Sequence, residues 1–128
     1  MAGTGLWPDL RVETRQRGMK QILEEVGGEL MEMTNGLIQF GVDSTGDPGD
    51  QGLRFIHHCS LRVPRVGFKM LLLNVITGPT TFPAIVVAAS GERQENIPDE
   101  ESLRKVLATI FQSEATKETL HSLIVNFG

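Results

Sequence analysis

The chain has no tyrosine, a single tryptophan and a single cysteine, and only 5% of its residues are aromatic. Few rings and a net charge of −4 argue against a nucleic-acid surface. Such a surface needs a basic excess to neutralise phosphates and aromatic faces on which bases stack. Cys59, standing alone, cannot close an internal disulfide, which fits a reducing compartment. No apolar run approaches the roughly 20 residues of a membrane-spanning helix. The opening Met1-Ala2-Gly3-Thr4-Gly5-Leu6-Trp7-Pro8 has neither the basic nor the apolar region of a signal peptide. Ala2 stands where N-myristoylation requires glycine. These absences predict a cytoplasmic protein with no membrane and no nucleic acid among its partners.

Acid is missing from one stretch in particular. Between Asp50 and Glu92 there is no Asp or Glu, while Arg54, Arg62, Arg65 and Lys69 all fall there, so the flanks carry −8. The same stretch shows the clearest apolar–polar alternation. The positive charge is therefore expected on a sheet and the negative charge on helices.

At 128 residues the chain is expected to be one domain, 1–128, with residues 1–8 flexible, and long enough to bury about two thirds of its unfolded surface. A helical pattern opens at Pro8-Asp9, and Met19, Ile22, Leu23, Val26, Leu30 and Met33 form one apolar stripe. Gly27-Gly28 predicts a bend or break, and Thr34-Asn35-Gly36 predicts the stop. Strands are expected over 37–43, 53–63, 66–77 and 84–90, with residues 44–52 a loop by their turn chemistry. Asp99 then reads as an N-cap with acids behind it, and Ser113 as a second. The fold class is α+β: a two-layer sandwich of a four-stranded antiparallel sheet with an N-terminal helix and two C-terminal helices, in the order α-β-β-β-β-α-α.

Chemistry-bearing residues are few. Alternation sets His57 and Cys59 toward the helices and His58 away from them, so at most two of the three converge. A zinc site needs three or four protein ligands, and no metal or cofactor is expected. Neighbours at i and i+2 on a strand sit about 6–7 Å apart, too far for a dependable Cys–His dyad. His57 and Cys59 remain as polar groups of a ligand pocket between sheet and helices. Asp43, Asp47 and Asp50 resemble a calcium loop, but the twelfth position from Asp43 is Arg54 where a bidentate Glu belongs.

The surface opposite the helices is more informative. Arg54, His58 and Arg62 are expected there, and in the third strand Leu71, Leu73 and Val75 share that face with Lys69. A strand apolar on both sides is normally covered on both sides. An exposed apolar patch with a cationic rim marks a protein-binding surface. The expected function is therefore a non-enzymatic interaction or assembly module. Its binding face would be Arg54, His58, Arg62, Lys69, Leu71 and Leu73, and its partner another protein, favoured if acidic, or a second copy. The alternative is a small-ligand protein or enzyme using the pocket at His57 and Cys59.

Overall fold

The structure, a computed structural model, describes Pro8, residues 17–48 and residues 52–128. The helical opening expected at Pro8-Asp9, the flexible start and the side chain of Trp7 thus lie outside the described residues, apart from Pro8 itself, which is exposed.

Helix α1 spans Met19–Met33 and buries Met19, Ile22, Leu23 and Gly27. It runs unbroken through Gly27-Gly28, because Gly27 is where the helix presses onto the sheet. A methyl group at Gly27 would stand 2.7 Å from the Phe40 Cβ, whereas one at Gly28 would meet nothing within 4 Å. The helix ends as its sequence suggests. Asn35 and Gly36 take left-handed angles, φ 51° and 81°. The Thr34 hydroxyl donates to the Leu30 carbonyl at 2.9 Å and accepts the Ile38 amide at 3.1 Å, satisfying groups the helix end leaves open.

Five antiparallel strands follow, paired in chain order: β1 (Gln39–Asp47), β2 (Arg54–Val63), β3 (Phe68–Thr77), β4 (Ala84–Ala88) and β5 (Arg93–Ile97). Pro64–Val66 form a single 3₁₀ turn between β2 and β3. Two strand expectations are corrected. β1 continues through Ser44, Thr45 and Gly46, which pair with His57, Ile56 and Phe55. The ladder offered by the long β2 outweighs the turn preference of those residues. β5 is a strand that alternation does not reveal, since Arg93, Gln94, Glu95 and Asn96 are all exposed and only Ile97 is buried. Charged, short edge strands discourage pairing with another chain.

A third correction concerns β3. Cys59 pairs with Leu73 and Ser60 with Leu71, so Leu72 is an extra residue in β3. At such a bulge two residues oppose one and the alternation changes phase. Leu72 and Leu73 are both buried, at 7% and 0% exposure. Leu73 therefore belongs to the core and not to the open face, and Val75 follows it inward at 0%.

Helix α2 (Glu100–Phe111) starts at Asp99, whose carboxylate accepts the Ser102 amide at 2.8 Å. Helix α3 (Glu114–Phe127) starts at Ser113, whose hydroxyl accepts the Thr116 amide at 3.3 Å. Arg17 links α1 to α2 by pairing with both Glu25 and Glu100. All three helices lie on one side of the sheet. The layer between holds Leu23, Ile38, Leu61, Leu73, Leu103 and Leu107, each at 1% exposure or less and each worth about 1.5–3 kcal/mol of burial. Phe40 and Phe111 meet edge to face, with centroids 5.7 Å apart.

The contact at Gly27 separates two neighbouring glycines by sign. Gly28→Ala is expected to stabilise by about 0.5–1 kcal/mol, the helix-propensity gain. Gly27→Ala is expected to destabilise by about 1–2 kcal/mol, as overpacking against Phe40 exceeds that gain. Urea unfolding of both variants checks this, and a shift of the same sign in both would contradict the close approach.

Candidate functional site

The strand registers build the open face row by row. One row runs Thr45, Ile56, Ile76 and Ile85, across four strands. The next runs Asp43, His58, Asn74, Val87 and Arg93. Beyond the bulge come Gly41, Ser60 and Leu71, then Gln39, Arg62 and Lys69. Ile56, Ile76, Ile85 and Val87 are half-buried, and Leu71 is 42% exposed. The structure thus brings Arg54, His58, Arg62, Lys69 and Leu71 onto one surface and excludes Leu73. The isoleucines were the residues least visible in the sequence. Without the bulge, alternation sets Ile76 inward with Phe68 and Met70. Ile85 and Val87 alternate cleanly against Ala84, Val86 and Ala88, which are buried, and that pattern was the available signal.

The cations of this face are matched by acids that the acid-free stretch hides. β1 lies beside β2 and carries Asp43 and Asp47. Arg62 donates to Asp43 at 2.7 Å and Lys69 donates to the same carboxylate at 3.2 Å. Their hydrogen bonding and charge hold the Asp43 carboxyl below its ordinary range, with Lys69 the larger cause. Arg54 pairs with Asp47 at 3.4 Å, and Arg93 with Glu95 at 3.1 Å. The Arg62 guanidinium lies flat over Gly41, where a side chain would collide with it: a Cβ there would sit 2.1 Å from the guanidinium carbon. His58 completes the polar part, with Nδ1 2.8 Å from Asn74 Oδ1 and Nε2 3.5 Å from Thr45 Oγ1. Since the Asn74 oxygen can only accept, Nδ1 carries the proton in this arrangement. The face is therefore a band of half-buried branched side chains with a rim of neutralised charge. The acidic partner expected from sequence would find Arg62 and Lys69 already engaged.

On the helix side, His57 is buried and hydrogen-bonded through Nδ1 to Ser44 Oγ at 2.7 Å. Cys59 is fully buried, and burial pushes its thiol up to about 12, so it is no thiolate nucleophile at neutral pH. Its Sγ–H points at the His57 carbonyl, 3.8 Å away. Among the described residues no carboxylate orients His57, which would be the third member of a Ser–His unit. None of them forms a group of three or more His, Cys, Asp or Glu able to hold a metal. The apolar cleft between α1 and α3 is lined by Leu30, Phe40, Leu61, Leu72, Phe111 and Leu120 among others, and by neither His57 nor Cys59. Among the described residues, no helix is long and apolar enough to cross a membrane.

Burial holds the His57 imidazole below its ordinary pKa of 6.5, and the positive charges of His58 and Lys20 act in the same direction. The folded protein prefers the neutral ring, so the unfolded chain takes up the proton first as pH falls. Stability from this group is complete above about pH 6.5 and lost below it. His57→Gln should show a smaller drop in urea midpoint between about pH 7.5 and about pH 5.5 than the parent. An equal drop would remove His57 as the source. No protein-family model, curated protein or solved structure matches this chain.

Proposed function

We propose that the protein is a non-enzymatic assembly module that pairs with a second copy of itself through the open face of its sheet. The observation that carries this reading is the Ile56–Ile76–Ile85 row, left partly exposed across β2, β3 and β4, with Val87 in the next row and Leu71, 42% exposed, beyond it. Water contact at branched side chains is unfavourable, and burying them is worth about 25 cal/mol per Å².

Two further features favour a second copy. A two-fold contact uses the same patch on both subunits, so the patch must complement itself. A face of unpaired cations would repel its twin, whereas this one pairs Arg54, Arg62, Lys69 and Arg93 with Asp47, Asp43 and Glu95. With β2 and β3 ten residues long and strands spaced about 4.8 Å, the sheet covers on the order of 600 Å² in plan. A standard interface takes about 800 Å² of accessible surface from each partner, so the whole face would be used. Two sheets stacked face to face lie about 10 Å apart with side chains interdigitating.

Light scattering after size exclusion tests this. The expected mass is twice 14.1 kDa, unchanged at high salt because an apolar contact is not screened. Leu71→Ser and Ile76→Lys should each give a folded monomer. Leu73→Ser should instead lower stability by about 2–5 kcal/mol, as a core truncation does. A parent that is monomeric at about 100 μM, or an unchanged dimer in both open-face variants, would overturn the proposal.

A further inference from the structure

The second unpartnered surface lies on the opposite side, where the helix layer is open. α1 rests on β1 and α2 rests on β4 and β5, with α3 packed on α2. Between α1 and α3 this leaves a cleft of about 290 Å³, with Phe40, Leu61 and Phe111 in its floor and Leu30 and Leu120 in its walls. At Met33, which is 82% exposed, it meets a second depression of about 620 Å³ lined by Ile124 and Phe127. The result is a trough running along the C-terminal half of α1.

We infer that this trough seats an amphipathic helix of another protein, apolar on one face and rich in Lys and Arg beside it. Size speaks first. The apolar cleft falls at or below the small end of about 300–1,000 Å³ for small-molecule pockets, which suits one or two anchoring side chains. From Val26 to Met33 the wall is about 10 Å long, so a partner helix would present anchors at i, i+3 or i+4, and i+7. Met33 contributes a flexible, polarizable side chain, the type that adapts to varied apolar surfaces.

Charge speaks second. Glu29 lines the cleft, and Glu25 and Glu32 lie four residues before and three after it, on the same side of the helix. Among the described residues Glu29 and Glu32 pair with no cation, although Glu25 is held by Arg17. The facing wall supplies Gln112 and Thr116 and no positive charge. Lys117 at the start of α3 lies 3.9 Å from Glu114. Arg65 lines the second depression, where it donates to the Phe127 carbonyl; the cleft itself is acidic on one side and uncharged on the other, which favours a cationic partner there and disfavours an anionic membrane.

A synthetic helix of two heptads, with Leu on one face and Lys on the other, is the probe. Its binding to the full chain is followed by fluorescence anisotropy at physiological salt. The expected result is saturable one-to-one binding that weakens at least tenfold with Glu29→Lys/Glu32→Lys and at least threefold with Met33→Ala. All three positions are exposed, so the fold should survive. Ile76→Lys, in the isoleucine row of the opposite face, should leave binding unchanged, which separates this site from the sheet contact. Any of four results would overturn the inference: equal binding of a scrambled Leu/Lys peptide, equal binding of a Leu/Glu amphipathic peptide, no saturation, or preferential binding to anionic phosphatidylserine vesicles.

Discussion

The extra residue in β3 is the constraint on which both surfaces of this protein depend. Leu72 has no partner in β2, and the alternation on either side of it runs in opposite phase. Before it, Phe68 and Met70 turn to the helices while Lys69 and Leu71 turn away. After it, Leu73, Val75 and Thr77 turn inward and Asn74 and Ile76 outward. A strand written without the bulge would bury Lys69 or expose Leu73. The first would place an ammonium in the core, and the second would forfeit one of the fully buried leucines at a cost of several kcal/mol. The bulge resolves the conflict with one unpaired residue. It also delivers Ile76 to the open face beside Ile56, and Leu72 to the floor of the trough.

Charge along the chain and charge in space are different quantities here. The acid-free stretch of residues 51–91 suggests a cationic sheet. Antiparallel pairing sets β1 against β2 so that Gln39 meets Arg62 and Asp47 meets Arg54. Asp43 and Asp47, which precede the stretch in sequence, therefore lie among its cations in three dimensions. Exposed ion pairs of this kind contribute about 0–1 kcal/mol each, so their importance is not stability. They remove the self-repulsion that would otherwise keep two such faces apart. Among the described residues Glu29 and Glu32 of α1 pair with no cation, and they flank the other surface.

Much of the fold was legible because its signals are local. The apolar stripe of α1, the left-handed stop at Asn35-Gly36, and the caps at Asp99 and Ser113 each depend on a few adjacent residues, and each stands where its chemistry places it. What was illegible depends on partners far away in sequence. Ser44, Thr45 and Gly46 are turn-forming residues held in a ladder by β2. Arg93 to Asn96 are polar residues paired only on one edge. Gly27 looks like a helix weakness until Phe40 is seen against it. The open face was half-legible for the same reason. Arg54, His58, Arg62, Lys69 and Leu71 follow from alternation, whereas Ile76 and Leu73 exchange faces through a bulge that no residue type announces. His57 and Cys59 were placed on the correct side, and burial then leaves the thiol without nucleophilic character.

The placement of α2 accounts for the trough. Strands spaced about 4.8 Å apart give a five-stranded sheet a width of about 24 Å, while a helix with its side chains is about 10–12 Å across. α1 covers the β1 edge and α2 is drawn to β4 and β5. Two helices side by side would match that width, so the cleft over Leu61 of β2 and Leu72 of β3 reflects where α2 sits, beside β4 and β5, and not a shortage of helix. α3 does not fill it. That helix packs on α2, buries only Leu123 and Thr116, and leaves Ile124 and Val125 at 44% and 81% exposure. The space between the helices is apolar because its floor is the sheet's core face.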